Sequence, residues 1–180
     1  MGSRRRADRP ADGDDDGPLD GRRCGQLAHV MIAELLRDGV RGVDFELVAS
    51  RVARHALLER PLVYRAAAQA ELVTSVCAWF RWFVLDRTWA FVGAEVAAPG
   101  CRFDLVFDHG RLGVLVDELK TGRLSGIGEG DASGQLARLL AGARSRYGAR
   151  FYALRVLQLS AASRSFVIYA DGRREALAWV

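Results

Sequence analysis

The spacing of hydrophobic positions divides the chain into a helical first part and a largely extended second part. Apolar residues recur every three to four positions up to about residue 86, and this spacing predicts helices over 22–37, 44–58 and 61–86. From residue 89 the pattern becomes typical of strands separated by Pro/Gly- and Asp/Gly-containing turns. The predicted strands cover 89–98, 101–108, 112–119, 151–159 and 165–170. A Gly/Ser-rich loop (123–133) and a helix (134–147) lie between the third and fourth strands, and a short segment, 174–180, ends the chain.

This order of elements predicts an α/β protein with a mixed central β-sheet flanked by helices. Residues 22–180 have the length of one domain. Residues 1–21 are rich in Arg, Asp, Gly and Pro and contain almost no apolar side chains, so we expect a disordered tail there.

The amino-acid composition limits the class of protein but does not indicate a particular activity. Half of the residues are hydrophobic, which is enough for a core, and the net charge of +4 permits an anionic partner such as nucleic acid. The three cysteines are odd in number and widely spaced, which argues against a disulfide framework. Because they form no Cys-x-x-Cys motif, neither a structural zinc site nor an iron–sulfur cluster is predicted. The chain has no signal-peptide core and no apolar run long enough to cross a membrane, so we expect a cytoplasmic protein.

Lysine usage draws attention to the end of the third predicted strand. All but one of the 26 basic residues are Arg, and the exception is Lys120. Glu118 lies two positions before it, so both side chains point to the same face of the strand, whereas Asp117 points to the other. The pair is either a surface ion pair or part of a reaction centre that needs an amine whose pKa can be shifted.

The predicted hairpins bring further carboxylates toward this pair. A two-residue turn at Pro99-Gly100 places Glu95 opposite Asp104, and two like charges in this position destabilise a strand pair unless a cation neutralises them. A three-residue turn at residues 109–111 makes Glu118 the diagonal neighbour of Asp104 on the same face of the sheet. With a two-residue turn, the two side chains lie on opposite faces. A shared site therefore requires an odd loop or a bulge in the second hairpin.

Under that register Glu95, Asp104, Glu118 and Lys120 converge on one patch. Carboxylate oxygens are the ligands that Mg²⁺ and Mn²⁺ prefer, and such an ion could neutralise a phosphodiester while Lys120 stabilises the transition state. The chain shows no evident Ser, Cys or His nucleophile motif. Its glycines at 122–130 do not precede the Lys and Ser/Thr of a phosphate-binding loop.

Four motifs in the chain resemble those of the PD-(D/E)XK nuclease superfamily, specifically its RecB-type domains. Gly25–His29 is similar to the Gly-x-x-x-His helix motif, and Arg102–Val106 to the metal-binding strand, with Phe103 in place of the proline of the name. Glu118–Gly122 resembles the acid-x-Lys-Thr-Gly segment, and Gln135-Leu136 the start of the Gln-Leu-x-x-Tyr helix. The resemblance implies a restriction-endonuclease-like core preceded by N-terminal helices.

The resemblance also implies roles for individual residues. Those implied to bind Mg²⁺ or Mn²⁺ are His29, Asp104 and Glu118, with the backbone carbonyl of Leu119; Glu95 is added from the hairpin register. Lys120 would be the catalytic lysine, acting with Glu118 and Asp104, and Gln135 would contact DNA. The implied activity is metal-dependent hydrolysis of DNA phosphodiesters, as an exonuclease or end-processing enzyme acting on single-stranded or end-bearing DNA. DNA repair, recombination and defence or mobile-element biology are the implied settings, with a helicase or another nucleic-acid-processing protein as a partner.

The chain departs from the family pattern at two points. Leu139 stands at the tyrosine position of the Gln-Leu-x-x-Tyr motif, and the four cysteines that hold an iron–sulfur cluster in some relatives are missing. Two alternatives to a nuclease stay open. One is a catalytically inactive nuclease fold that serves as a DNA-binding or scaffolding module, and the other is a structural domain in which Glu118 and Lys120 form a surface ion pair.

Overall fold

A six-stranded mixed sheet forms the centre of the computed structural model, which describes residues 21–42, 44–58, 66–121, 129–160 and 164–177. The strands lie in chain order across the sheet: β1 (Ala90–Ala98), β2 (Cys101–His109), β3 (Gly113–Lys120), β4 (Phe151–Gln158), β5 (Phe166–Tyr169) and β6 (Arg174–Ala176). Strands β3 and β4 pair in parallel, and every other neighbouring pair is antiparallel. The predicted mixed α/β class is therefore confirmed.

Of the α-helices in the described part of the chain, three precede the sheet and one lies between two of its strands. They are α1 (Gly21–Arg37), α2 (Phe45–Leu58), α3 (Ala66–Trp82) and α4 (Glu129–Tyr147). Parallel strands cannot be joined by a tight turn, and α4 with a following 3-10 turn, Gly148–Arg150, provides the connection from β3 to β4.

Local sequence signals explain where α1 ends and α2 begins. Gly39 follows α1 with a φ of 80°, and the N–H groups of Gly39 and Val40 donate to the carbonyls of Leu36 and Leu35. This is the Schellman arrangement, which needs a residue tolerant of left-handed backbone. Asp44 caps α2, as predicted, because its Oδ1 accepts the Leu47 N–H at 2.9 Å.

The two faces of the sheet carry separate hydrophobic cores. One core joins α1, α2 and α3 to strand residues that include Leu105, Phe107, Leu115, Leu119 and Leu157. The other joins α4 to a set that includes Val106, Val114, Val116 and Leu154. Alternate residues of β3 therefore serve opposite cores, so Glu118 and Lys120 face α4 while Asp117 faces the three-helix side.

The first hairpin has the predicted register. Ala98 pairs with Cys101 across the Pro99-Gly100 turn, and the next pairs inward, Val96 with Phe103 and Ala94 with Leu105, place Glu95 opposite Asp104. The register shifts only farther along, between Phe91 and Gly93.

The second hairpin has the odd loop that a shared site requires, but the loop lies one residue later than predicted. His109 pairs with Gly113, so the loop comprises residues 110–112, and the pairing runs back to Leu105 with Asp117. Asp104, the next residue of β2, reaches β3 through its side chain, whose Oδ2 accepts the Leu119 N–H. The shift has a local cause: His109 Nδ1 accepts the backbone N–H groups of Arg111 and Leu112, both at 3.2 Å, and so organises the loop. Gly113 closes it with a φ of 106°.

Several predicted boundaries need correction. Helix α4 begins at Glu129, five residues before the prediction, because the low helix propensity of its Gly- and Ser-containing start is overridden in the folded chain. Helix α3 ends at Trp82, not at residue 86. The short segment 174–180 at the end of the chain, for which no helix or strand was predicted, contributes β6. Helix α1 includes Gly21, which the prediction assigned to the tail; residues 1–20 and 122–128 lie outside the described residues.

None of the described helices is long and apolar enough to cross a membrane.

Candidate active site

The carboxyl end of β3 meets α1, the β1–β2 hairpin and α4, and most of the predicted site residues lie there. His29 on α1, Glu95 on β1 and Asp104 on β2 each place a ligand atom within 4.8 Å of the others. His29 Nδ1 lies 3.4 Å from Asp104 Oδ1. Helix α1 and the β1–β2 hairpin, which are distant in sequence, thus bring one imidazole and two carboxylates together.

Asp104 also ties this cluster to β3. Its Oδ2 accepts the backbone N–H of Leu119 at 2.6 Å, so one carboxylate oxygen faces the strand while the other faces His29. The Leu119 side chain packs in the three-helix core. The resemblance assigned Leu119 a backbone carbonyl ligand; the contact seen here is through its N–H, and the carbonyl role stays a prediction.

A triangle of hydrogen bonds joins Glu118, Lys120 and Gln135 beside the cluster. Glu118 Oε1 accepts from Lys120 Nζ at 2.7 Å and from Gln135 Nε2 at 2.8 Å. Lys120 Nζ also donates to Gln135 Oε1 at 3.1 Å. Because Gln135 lies on α4, the helix holds the Glu118–Lys120 pair from outside the strand, and the ammonium group is kept in one place.

Electrostatics in the site favour protons or cations. Burial and the nearby Asp104 carboxylate raise the pKa of Glu118, although Lys120 acts in the opposite direction. Burial by itself lowers the pKa of His29. The hydrogen bond and charge of Asp104, with smaller contributions from Glu95 and Glu118, outweigh that effect and raise it. Burial has the largest influence on the pKa of Glu118, whereas the neighbouring carboxylates decide the direction of the pKa shift of His29.

Glu95 has an unusual backbone for a strand residue. Its φ is 53°, in the left-handed region that side chains other than glycine rarely adopt. The side chain is exposed, and Arg102 Nη1 lies 3.5 Å from its Oε2. A strained residue that directs a carboxylate toward two other ligand groups is the kind of feature that concentrates at functional sites.

Gly25 shows why the first motif begins with glycine. A Cβ at this position would lie 2.5 Å from Thr121 Oγ1, at the end of β3. The missing side chain therefore lets α1 approach the strand end closely. His29, one turn further along the same helix face, is thereby brought to Asp104.

The remaining predicted residues occupy less direct positions. Glu118 lies outside the group of mutually close ligand atoms that His29, Glu95 and Asp104 form among the described residues. Gln135 bonds to Glu118 and Lys120, so it holds the site and does not present a free amide. Leu139 is buried in the core between α4 and the sheet. It cannot take the substrate-facing place of a tyrosine without leaving that core.

Asp117 belongs to a second charged pair, whose other member the sequence analysis did not single out. Arg155 on β4 donates to both Asp117 oxygens, at 2.7 Å from Nε and 2.6 Å from Nη2, and to the carbonyl of Phe83 from Nη1 at 3.0 Å. Asp117 is completely buried and Arg155 is 7 % exposed. An arginine in the middle of an apolar strand was the available signal, since a buried charge requires a partner.

Comparison of the chain with models of known protein families, with curated proteins and with solved structures finds no match.

Proposed function

We propose that this protein is a metal-dependent DNA nuclease that hydrolyses phosphodiester bonds at the carboxyl end of β3. The observation that carries the proposal is the meeting of His29, Glu95 and Asp104 within 4.8 Å, next to the Glu118–Lys120 pair. Cation ligands and a positioned amine in one place are the groups that phosphodiester hydrolysis requires.

The donor set fits a divalent cation. Carboxylate oxygens suit Mg²⁺ and Mn²⁺, and an imidazole nitrogen among them suits Mn²⁺ in particular. His29, Glu95 and Asp104 would hold the ion, with Glu118 beside them. A cation there supplies neutralisation of phosphate charge and a more acidic bound water. The raised pKa of His29 supports this assignment, because Asp104, Glu95 and Glu118 favour a positive charge at that position and outweigh the opposing effect of burial.

The protein's own groups have separable tasks. The Lys120 ammonium, held by Glu118 and Gln135, is placed to donate a hydrogen bond to a phosphate oxygen or to the attacking water. The Asp104 carboxylate, anchored by the Leu119 N–H, keeps a second oxygen directed at His29. Fixing these groups before substrate arrives lowers the reorganisation needed in the transition state.

DNA as the substrate, and single strands or ends as its form, come from the resemblance of the four motifs. The same holds for the settings of repair, recombination and defence or mobile elements, and for a helicase-like partner. The physical support is the positive net charge, which favours a polyanion.

The test compares cleavage by the wild type and by Lys120→Ala. Labelled linear single strands, blunt duplexes and covalently closed circles are incubated with Mn²⁺, with Mg²⁺ or with a chelator. We expect cleavage of the linear substrates that requires metal, and a loss of about 10²–10³-fold in rate for Lys120→Ala, the cost of removing one preorganised donor.

The matched control is Asp108→Asn, which also removes one charge, here from β2. Asp108 pairs with Arg150 and lies away from the cluster of His29, Glu95 and Asp104. This variant should cleave at the wild-type rate. Unchanged cleavage by Lys120→Ala would contradict the proposal. Metal-independent DNA binding without cleavage by the wild type would favour the inactive binding module.

A further inference from the structure

The arginines of α4 and the turn after it differ in what they contact. Arg144 donates to the Ala170 carbonyl and Arg146 to the Ala97 carbonyl, while Arg150 pairs with Asp108. Each of these three therefore ties the helix or its end to a strand or a loop. Arg138 makes no hydrogen bond or ion pair with any residue that the structure describes, and its side chain is exposed.

Arg138 is also the arginine of this group that lies beside the candidate active site. It follows Gln135 by three positions, and residues so spaced on a helix have Cβ atoms about 5–6 Å apart. Its guanidinium folds back along the helix: Nη1 lies 3.9 Å from the place that a Cβ of Gly134 would occupy. The cation is thus held at the end of α4 that carries the Glu118–Lys120–Gln135 triangle.

A nucleic-acid strand entering this site needs cationic contacts outside the acidic cluster. The carboxylates of Glu95, Asp104 and Glu118 repel a phosphate unless something offsets them, and Lys120 is engaged with Glu118. On the hairpin side, Arg102 lies near Glu95, which offsets part of its charge. On the α4 side, among the residues that the structure describes, the guanidinium without a hydrogen-bond or ion-pair partner is that of Arg138. Its planar fork suits two phosphate oxygens at once.

We propose that Arg138 binds a phosphate of the substrate strand, next to the one at the acidic cluster, and so fixes the path of the strand along α4. This rests on the proposed nuclease function, because it takes a nucleic acid as the ligand of the site. Gln135, which the resemblance assigned to DNA contact, then acts by positioning Lys120 and Glu118, and Arg138 provides the contact one turn further along the helix.

The test measures binding in the absence of cleavage. A fluorescein-labelled single-stranded 20-mer is titrated with the full chain in EDTA, and anisotropy is followed at several salt concentrations. For Arg138→Gln we expect the slope of log K against log salt to fall by about 0.7, the value for one phosphate contact on a single strand. At 0.1 M salt the same contact corresponds to about a fivefold loss of affinity.

Arg144→Gln is the matched control, because it removes the same charge from the same helix at a residue bonded to the Ala170 carbonyl. Its slope should stay within error of the wild type, and Arg138→Lys should restore the slope. Equal effects of Arg138→Gln and Arg144→Gln would overturn the inference, as would no measurable binding by the wild type. Circular dichroism of each variant separates a lost contact from a lost fold.

The outcome for Arg138 is distinct from that for the nuclease. Metal-dependent cleavage with an unchanged Arg138→Gln salt slope refutes the inference and leaves the proposed function standing. A reduced slope in a protein that never cleaves DNA supports the contact and refutes the activity. In an active enzyme, Arg138→Gln should raise KM for single-stranded DNA more than it lowers kcat, because the contact is made in the bound ground state as well.

Discussion

Strand β3 carries two acid–base pairs of opposite character on its two faces. On the three-helix side, Asp117 and Arg155 form a fully enclosed pair in which both carboxylate oxygens and all three guanidinium nitrogens have partners. On the α4 side, Glu118 and Lys120 form a partly exposed pair that opens toward Asp104 and its neighbours. The two carboxylates, Asp117 and Glu118, are neighbours on one strand and point to opposite faces, so their surroundings set the difference.

The difference lies in charge balance. One carboxylate meets one guanidinium in the enclosed pair, and nothing remains for a ligand to satisfy. The open side has three carboxylates, those of Glu95, Asp104 and Glu118, near the cations of Lys120 and Arg102 and the imidazole of His29. The first arrangement joins β3, β4 and the end of α3, and the second has the surplus of negative charge that a bound cation would neutralise.

The largest effect that separates the two faces is expected from Arg155→Met. It leaves Asp117 buried without its partner, which costs about 3–5 kcal/mol of unfolding free energy. Denaturation by urea at pH 7, followed by circular dichroism, measures this loss.

The double variant Asp117→Leu with Arg155→Met provides the control. Replacing both charges by apolar groups should recover most of the stability, because well-packed hydrophobic residues often substitute for a buried pair at little cost. If the double variant is as unstable as Arg155→Met, the loss of stability does not come from the unpaired charge of Asp117 alone.

A smaller effect is expected from substituting two glycines of α4. A Cβ at Gly142 would clash with Cys101 Sγ and lie 3.2 Å from the Pro99 carbonyl, so Gly142→Ala must push α4 away from the first hairpin. We expect a loss of about 1–3 kcal/mol in unfolding free energy, as for other overpacked contacts. The same shift would move Gln135 away from the site face of β3 while leaving the Asp117–Arg155 pair in place.

Gly134→Ala is the matched substitution in the same helix. Among the described residues, its Cβ would meet only Arg138 Nη1, at the ordinary distance of 3.9 Å, so the substitution should stabilise the protein by up to about 1 kcal/mol through helix propensity. A loss of unfolding free energy for Gly142→Ala with a gain for Gly134→Ala would identify the α4–hairpin contact as the cause. A change of the same sign in both variants would argue against it.

The smallest effect is a change in the pH dependence of stability. The folded-state pKa values of Glu118 and His29 are raised above the usual values of 4.5 and 6.5, so the folded state binds these protons more tightly than the unfolded state. Stability of the metal-free protein is therefore greatest below pH 4.5 as far as Glu118 is concerned. It falls as pH rises through the raised pKa, and His29 adds a further fall above pH 6.5.

Glu118→Gln should make this fall shallower. The amide keeps an oxygen for Lys120 and Gln135 but has no proton to lose, and it also removes one of the charges that raise the pKa of His29. Urea titrations between pH 4.5 and 8, in the presence of a chelator, measure the slope. A variant with the wild-type slope would show that Glu118 does not share the charge of the cluster.

Much of the local structure around β3 could be read from the sequence. Strand parity alone predicts that Asp117 turns away from Glu118 and Lys120, and the structure confirms it. Gly39 and Asp44 mark a helix end and a helix start for equally local reasons. The Pro99-Gly100 turn places Glu95 opposite Asp104 because a two-residue loop leaves one register.

Predictions from the sequence fell short at two places, of which a local contact decided one and a long-range contact the other. The loop of the second hairpin lies one residue later than predicted for two reasons. His109 accepts two backbone N–H groups of the loop, and Gly113 has a positive φ, which glycine adopts easily. Arg155 could not be paired from the sequence, since 38 positions separate it from Asp117 and the parallel register of β3 and β4 sets them side by side. The metal, nuclease and DNA assignments stay predictions, for which the experiments above are the tests.

The sequence by itself therefore determined which face of each element is apolar, because periods of 3.6 and 2 are properties of the local backbone. Only the tertiary structure decided that Glu118 faces a glutamine from α4 and lies near His29 of α1, while Asp117 is enclosed by Arg155. These contacts depend on how closely helices approach the sheet. Glycines at positions 25 and 142 permit that approach, and no local pattern reveals what such a glycine will meet.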